Sequence, residues 1–318
     1  MINIAEIKQE LLNELFSSNV IPRIQLNKQE KFMYEYTKEE INRIKKLIIQ
    51  KHTVVGIDIY EYSLFPPDRQ IFVPHLFDLI YEQTWRILAE NYSFIFQRYY
   101  KLGDPLDREY IKQSEYFIST GDGGYQILET PIHAILFILT FATVVRFYNS
   151  DLFMRKLHSK LGNIELRYAI TLDDLYKYRK HFYGAAIINN SRILSKDKLN
   201  RILIDKNTHD WFLDKIAGIE NLMSIGINEI KCIDEFLDYD HSRITEGNNI
   251  LICSDNNSDD KEGIKSVDVQ KIGKITQKHT ELEIYNLHIQ AIIRYINFWK
   301  TSEKIVTVSA GNLNISGI

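Results

Sequence analysis

EYFISTGDGGYQILE, residues 115–129, joins two short runs of aromatic and β-branched residues through a glycine-rich turn. That is the local signature of a β-hairpin. Upstream, HTVVGIDIY at 52–60 is a β-branched run of strand length, closed by the turn-like PPDR at 66–69. From Pro74, Leu76, Leu79, Ile80, Ile87 and Leu88 fall on one helical face, and Asp78, Glu82, Arg86 and Glu90 recur on another, which reads as a solvated face. Downstream, Pro131 opens an apolar helix, NIELRYAI at 163–170 alternates as a half-buried strand, YGAAIINNSRILSKDKL reads as a helix and RILID at 201–205 as a strand. The order is β-α-β-β-α-β. It predicts an α+β fold with a ferredoxin-like core, an antiparallel sheet backed by helices.

Around this core, residues 1–50 read as a helical N-terminal extension, with Ile4, Ile7, Leu11, Leu12 and Leu15 at helical spacing and a capping-box pattern from Thr37 to Glu40. The core domain is taken as 51–292. Within it 216–265 is an elaborated stretch, SDNNSDDKEG at 254–263 reads as a mobile loop, and 271–290 is extended and adds a late strand. Residues 293–318 are left as a tail. The 14-residue run Ile132 to Val145 holds His133 and is short for a bilayer span, so it reads as a core helix.

Composition narrows the functional classes. The chain has 318 residues, 39 Lys plus Arg against 42 Asp plus Glu, and 45% hydrophobic residues. Near-neutral charge argues against a general polyanion binder, so no nucleic-acid partner is expected. Cys232 and Cys253 cannot build a disulfide framework. The start, MINIAEIKQELLNELF, lacks the order of an export signal. A cytoplasmic location without membrane insertion is the expectation.

Two acids are the candidates for chemistry. Asp58 lies inside an apolar strand, and Asp122 sits at the tip of the hairpin. A carboxylate in a buried strand is costly unless it is paired or binds a metal. In a β-α-β-β core the first strand can lie beside the hairpin, bringing the two acids together, where a divalent cation such as Mg²⁺ or Mn²⁺ would relieve their repulsion. The alternative is that Asp58 pairs with an arginine and Asp122 only fills a turn position. Gly121, Gly123 and Gly124 serve either a close ligand approach or the turn itself.

Other motifs are absent. Gln126 stands where G-x-G-x-x-G needs its last glycine, and no P-loop occurs. Asp255, Asn257 and Asp259 have calcium-loop spacing, but Asp260 and Ser266 replace the required Gly and Glu. No cysteine or serine sits in an activated-nucleophile pattern, and a lone histidine such as His133 on an apolar helix reads as a satisfied core residue. Arg192, on the predicted helix, could stabilise a transferring phosphate or simply face solvent.

Taken in order, GIDIYEYS, STGDGGYQIL, IELRYAI, YGAAIINNSRIL with RILID, and a late GK followed by EIYNL resemble the successive blocks of class III nucleotidyl cyclases over about 52–290. EYSLFPPDRQIFVPHLFDLIYE and YNLHIQ look most like the pyrimidine cyclases of bacterial Pycsar anti-phage defence. The resemblance implies that Asp58 and Asp122, with the carbonyl of Ile59, hold two Mn²⁺ or Mg²⁺ ions per site. It implies that Arg192 binds the triphosphate in the transition state, with Lys274 or Lys278 as the accompanying lysine. It further implies a homodimer with its sites at the subunit interface and a downstream effector that reads the cyclic product.

The departures concern the base. Ile118 and His181 stand at the positions where purine cyclases read it, so an adenine-reading Lys plus Asp pair is absent. Ile188 replaces the ribose-orienting Asn, with Asn189 and Asn190 adjacent and Asn189 taken as the substrate-side candidate. Gly121 lies against the substrate in this reading, and Tyr62 narrows the base pocket against a purine, or else is a core aromatic. The expected activity is conversion of UTP to 3′,5′-cyclic UMP and pyrophosphate. Cyclic CMP formation, a purine cyclase and a non-catalytic nucleotide sensor are the alternatives.

Overall fold

The computed structural model of the chain describes residues 50–100, 116–150, 153–178, 181–243, 263–276, 281–296 and 303–318. The predicted helices before residue 50, the loop at 254–262 and Lys278 lie outside them. By its contacts the chain forms two units, 1–50 with 175–183, and 51–174 with 184–318.

Among the described residues nine strands make one sheet. They are β1 (Gln50–Ile59), β2 (Phe117–Ser119), β3 (Gly123–Leu128), β4 (Leu166–Tyr178), β5 (His181–Gly184), β6 (Ile202–Asp205), β7 (Gly263–Thr276), β8 (Glu281–Ile296) and β9 (Glu303–Ala310). The longer helices are α1 (Val73–Asn91), α2 (Pro131–Asn149), α3 (Arg155–Leu161), α4 (Ala185–Lys196) and α5 (Lys206–Ile216). The strand path is β2-β3-β1-β4-β6-β8-β7, with β5 paired to β4 and β9 to β8. Its first four members are the order of a split β-α-β pair, so the predicted ferredoxin-like core is present and the fold is α+β.

The hairpin closes as its residues demand. Thr120 N–H donates to the Gly123 carbonyl at 3.0 Å, and Gly121 takes the first central position with φ +99°, a backbone region that suits glycine in a two-residue hairpin loop. β3 then runs antiparallel to β1, from Asp58 opposite Gly123 to Thr53 opposite Leu128. A Cβ on Gly123 would lie 2.0 Å from the Ile57 carbonyl oxygen, so the glycine is what lets the two backbones approach.

The main core lies on one sheet face. Val55, Ile57 and Ile59 of β1 pack there with Trp85 of α1, Phe137 and Phe141 of α2, and Phe212 of α5. The opposite face carries a smaller cluster in which Ile193 and Leu194 of α4 meet Ala169, Leu203, Ile275 and Ile284. Asn190 locks α4 down, donating from Nδ2 to the carbonyls of Val54 and Ala169 at 2.9 Å each.

Helix α2 is capped by Thr130 and is 19 residues long, five more than its apolar run. It reaches the length and composition of a bilayer span, so the length argument from the 14-residue run does not hold. What identifies it as a core helix is burial, with 89% of its most apolar window inside the fold. His133 is buried within it. One ring nitrogen meets the Thr130 hydroxyl and the other the Ile95 carbonyl, each at 2.8 Å, and burial pushes its pKa down to about 4, which keeps it neutral.

The C-terminal part is more sheet-like than its sequence suggests. In place of one late strand there is a long β7–β8 hairpin with register shifts at Ile264/Ser266 and Lys271/Gly273. The expected tail instead continues β8 and adds β9, paired to β8 from Ile289 opposite Ala310 to Ile296 opposite Glu303.

Candidate active site

Asp58 projects from the face opposite Val55, Ile57 and Ile59, toward the side on which α4 packs. It is the register partner of Gly123, and Ile59, the buried last residue of β1, donates its N–H to the Asp122 carbonyl at 3.2 Å. Strand pairing therefore seats the two acids side by side. Burial raises the Asp58 pKa, Arg167 opposes that rise, and the neighbouring Asp122 carboxyl adds to it.

The sequence alone did not single out Arg167. Its Nε donates to Asp58 Oδ2 at 2.5 Å, and its Nη1 donates to the Asp197 carbonyl at 2.6 Å. Both readings of Asp58 thus have a counterpart in the structure: it has an arginine partner, and it also faces Asp122. Two facts could have pointed to Arg167. It alternates with the apolar residues of NIELRYAI, and in the split β-α-β order β4 neighbours β1.

Among the described residues no group of three or more His, Cys, Asp or Glu is placed to hold a metal. A cation here would draw on two carboxylates and backbone or substrate oxygens. Hard oxygen donors of net negative charge fit Mg²⁺ or Mn²⁺, and a sparse protein ligand set leaves coordination positions for phosphate. Burial, with a smaller contribution from the Asp122 carboxyl, raises the Asp58 pKa, and a divalent ion would favour the ionised carboxylates against both.

Arg192, Asn189 and Lys274 make their polar contacts elsewhere than with this pair. Arg192 is exposed on α4, on the side away from Asn190 and Ile193, and its Nη1 donates to Asn189 Oδ1 at 3.3 Å. Asn189 in turn reaches Asp173 at 3.4 Å. Asn189 therefore shares the Arg192 side of the helix, whereas Asn190 is a buried tie to the sheet.

Lys274 is exposed and ion-paired with Glu281 at 2.7 Å and with Glu283 at 3.7 Å. By register and alternation it belongs to the face of Glu283 and Tyr285, opposite that of Asp58. Ile118 sits in β2 across from Tyr125. Tyr62 is half-buried, edge-on to Phe65 at 6.2 Å and packed on the main core. His181 is exposed at the start of β5, in the smaller unit.

No protein-family model and no curated protein matches the chain. Among solved structures, the catalytic core of a rhodopsin-guanylyl cyclase with converted specificity, in complex with ATPαS, matches at 12% identity and TM-score 0.42, covering 76% of this chain and 97% of that one. The adenylyl cyclase CyaB from P. aeruginosa matches at 11% identity and TM-score 0.40, covering 75% and 95%. An adenylate/guanylate cyclase/hydrolase from Silicibacter pomeroyi matches at 12% identity and TM-score 0.36, covering 75% and 96%.

Proposed function

We propose that this chain is a class III nucleotidyl cyclase of the pyrimidine type, which converts UTP to 3′,5′-cyclic UMP and pyrophosphate, and that it works as a cytoplasmic second-messenger enzyme in anti-phage defence. The observation that carries the reading is the meeting of Asp58 and Asp122, residues far apart in sequence, on the strand and hairpin where the sequence blocks resemble that family.

In the reaction the 3′-oxygen bonds to the α-phosphorus in line, the bond from the α-phosphorus to the bridging oxygen breaks, pyrophosphate leaves and the 3′-hydroxyl proton passes to solvent. Bound Mg²⁺ or Mn²⁺ would supply polarisation of the 3′-hydroxyl and neutralisation of phosphate charge. Asp58, Asp122 and the Ile59 carbonyl would hold that ion. Arg192 donates to phosphate oxygens as negative charge builds, the accompanying lysine in this reading is Lys278 rather than Lys274, whose side chain lies on the sheet face opposite that of α4, and Asn189 positions the Arg192 guanidinium. Ile118, Gly121 and Tyr62 line the nucleotide in this reading.

Arg192 points away from the face of its own chain, which supports a homodimer that completes each site with the Arg192 of a second copy. The ion pair between Arg167 and Asp58 favours one rival, a nucleotide-binding sensor in which Arg167 replaces the cation.

The deciding experiment incubates the protein with Mn²⁺ and each of ATP, GTP, CTP and UTP, with mass detection of cyclic products. Cyclic UMP is expected. Cyclic CMP or a cyclic purine product redirects the substrate, and no product from any of the four ends the enzymatic reading.

A further inference from the structure

Arg167 is held at both ends, and the second anchor leads to the end of the described chain. Asp197, the residue after α4, offers its carbonyl to Arg167 and its Oδ1 to Arg201 Nε at 2.8 Å. The Asp197 and Arg201 side chains are both 1% exposed. Arg201 Nη1 then donates to the carbonyls of Asn314 and Ser316, at 3.1 and 2.8 Å. The segment beyond β9 turns at Gly311, whose φ is +83°. It is stitched down where Asn312 donates to Asn200 Oδ1 at 3.0 Å and accepts from Asn286 Nδ2 at 2.7 Å. A continuous run of hydrogen bonds therefore joins residues 312–316 to Asp58.

A buried, fully charged pair is costly unless further donors and acceptors complete it, and here the completing acceptors come from the terminal segment. A guanidinium at hydrogen-bond distance occupies a carboxylate lone pair and opposes any incoming cation. We propose that residues 312–316, acting through Arg201 and Asp197, are a strap that holds Arg167 against Asp58 and thereby sets the affinity of the Asp58/Asp122 pair for a divalent cation. This rests on the cation-site reading above. Arg201 and Asp197 are positioning residues, since neither reaches the acids directly.

The test measures binding of Mn²⁺ alone to the full chain, without nucleotide, by loss of the free-ion electron paramagnetic resonance signal, with a thermal melt to confirm folding. Arg167→Gln should bind Mn²⁺ more tightly than the unaltered chain. Arg201→Lys, which keeps the charge and loses the fork, should bind on the order of fivefold more tightly. The decisive arm is Arg201→Lys placed in the Arg167→Gln background, where it should add nothing. Should Arg201→Lys not fold, the chain shortened to end at Asn312 carries the same comparison. Folded variants that bind Mn²⁺ like the unaltered chain, or an effect that persists without Arg167, overturn the strap while leaving the cation site intact. Absence of Mn²⁺ binding by both the unaltered chain and Arg167→Gln overturns the site and the strap together.

Discussion

Asp58 illustrates how one residue can be partly legible. That a carboxylate inside VVGIDIY needs a partner follows from desolvation, which any reader of the sequence can apply. Which partner it finds depends on the neighbouring strand, and Arg167 lies 109 residues away. His133 was legible because an imidazole on a mostly apolar helix has little to serve but the backbone and a cap. The choice between Asn189 and Asn190 was not, since it turns on which side of α4 meets the sheet. Asp58→Asn and Asp122→Asn should each lower Mn²⁺-dependent product formation by at least about 10²-fold, measured as cyclic product per unit time. The elevated Asp58 pKa also has a sign. A cation needs the ionised carboxylate, so Mn²⁺ affinity should fall as pH is lowered and should begin to fall at a higher pH than for an ordinary aspartate, as a binding titration across pH would show.

Elements differ in how much they owe to local chemistry. The hairpin is specified by its own glycines, so it could be read directly. The β7–β9 region could not: β7 mixes buried and exposed positions without clean alternation and carries two register shifts. Its pattern is set by what it packs on, and the reading recovered one strand where three exist. α2 shows the same point in reverse, because its burial depends on the layers around it. The close approach at Gly123 gives an element-scale prediction. Gly123→Ala would place a methyl 2.0 Å from the Ile57 carbonyl oxygen and must push the hairpin off β1. Overpacking of this kind typically costs about 1–3 kcal/mol. The variant should melt lower and lose Mn²⁺ binding, while far-ultraviolet circular dichroism changes little.

At the scale of the whole molecule, the β2-β3-β1-β4 order was legible because element order and the split β-α-β rule leave few topologies. The half beyond β6, joined through a parallel β4–β6 pair, was not. That junction contains Asp205, buried at the start of α5, where its Oδ1 accepts from Thr208 N–H at 2.9 Å; burial raises its pKa to about 7. The proton is then held in the folded state over a range where the unfolded chain has lost it. Its stabilising effect is full below about pH 4 and is lost as pH rises to about 7, at up to about 1.4 kcal/mol per pH unit. Urea unfolding across that range should show this decline, and Asp205→Asn should flatten it. For the proposed dimer, Asp58→Ala and Arg192→Ala chains should each be inactive alone, the arginine loss costing about 3 kcal/mol of transition-state stabilisation. Mixed together they should recover activity, and silence in the mixture would rule out a shared site.

The sheet ends on β7, a 14-residue strand whose outer edge has no strand partner among the described residues. Long free edges invite other chains to add on and grow into fibres. Here Lys265, Lys271 and Lys274 stud the strand, and its two irregularities break the even ladder an incoming chain would need. Charges and ladder breaks of this kind disfavour the addition of a further strand at that edge.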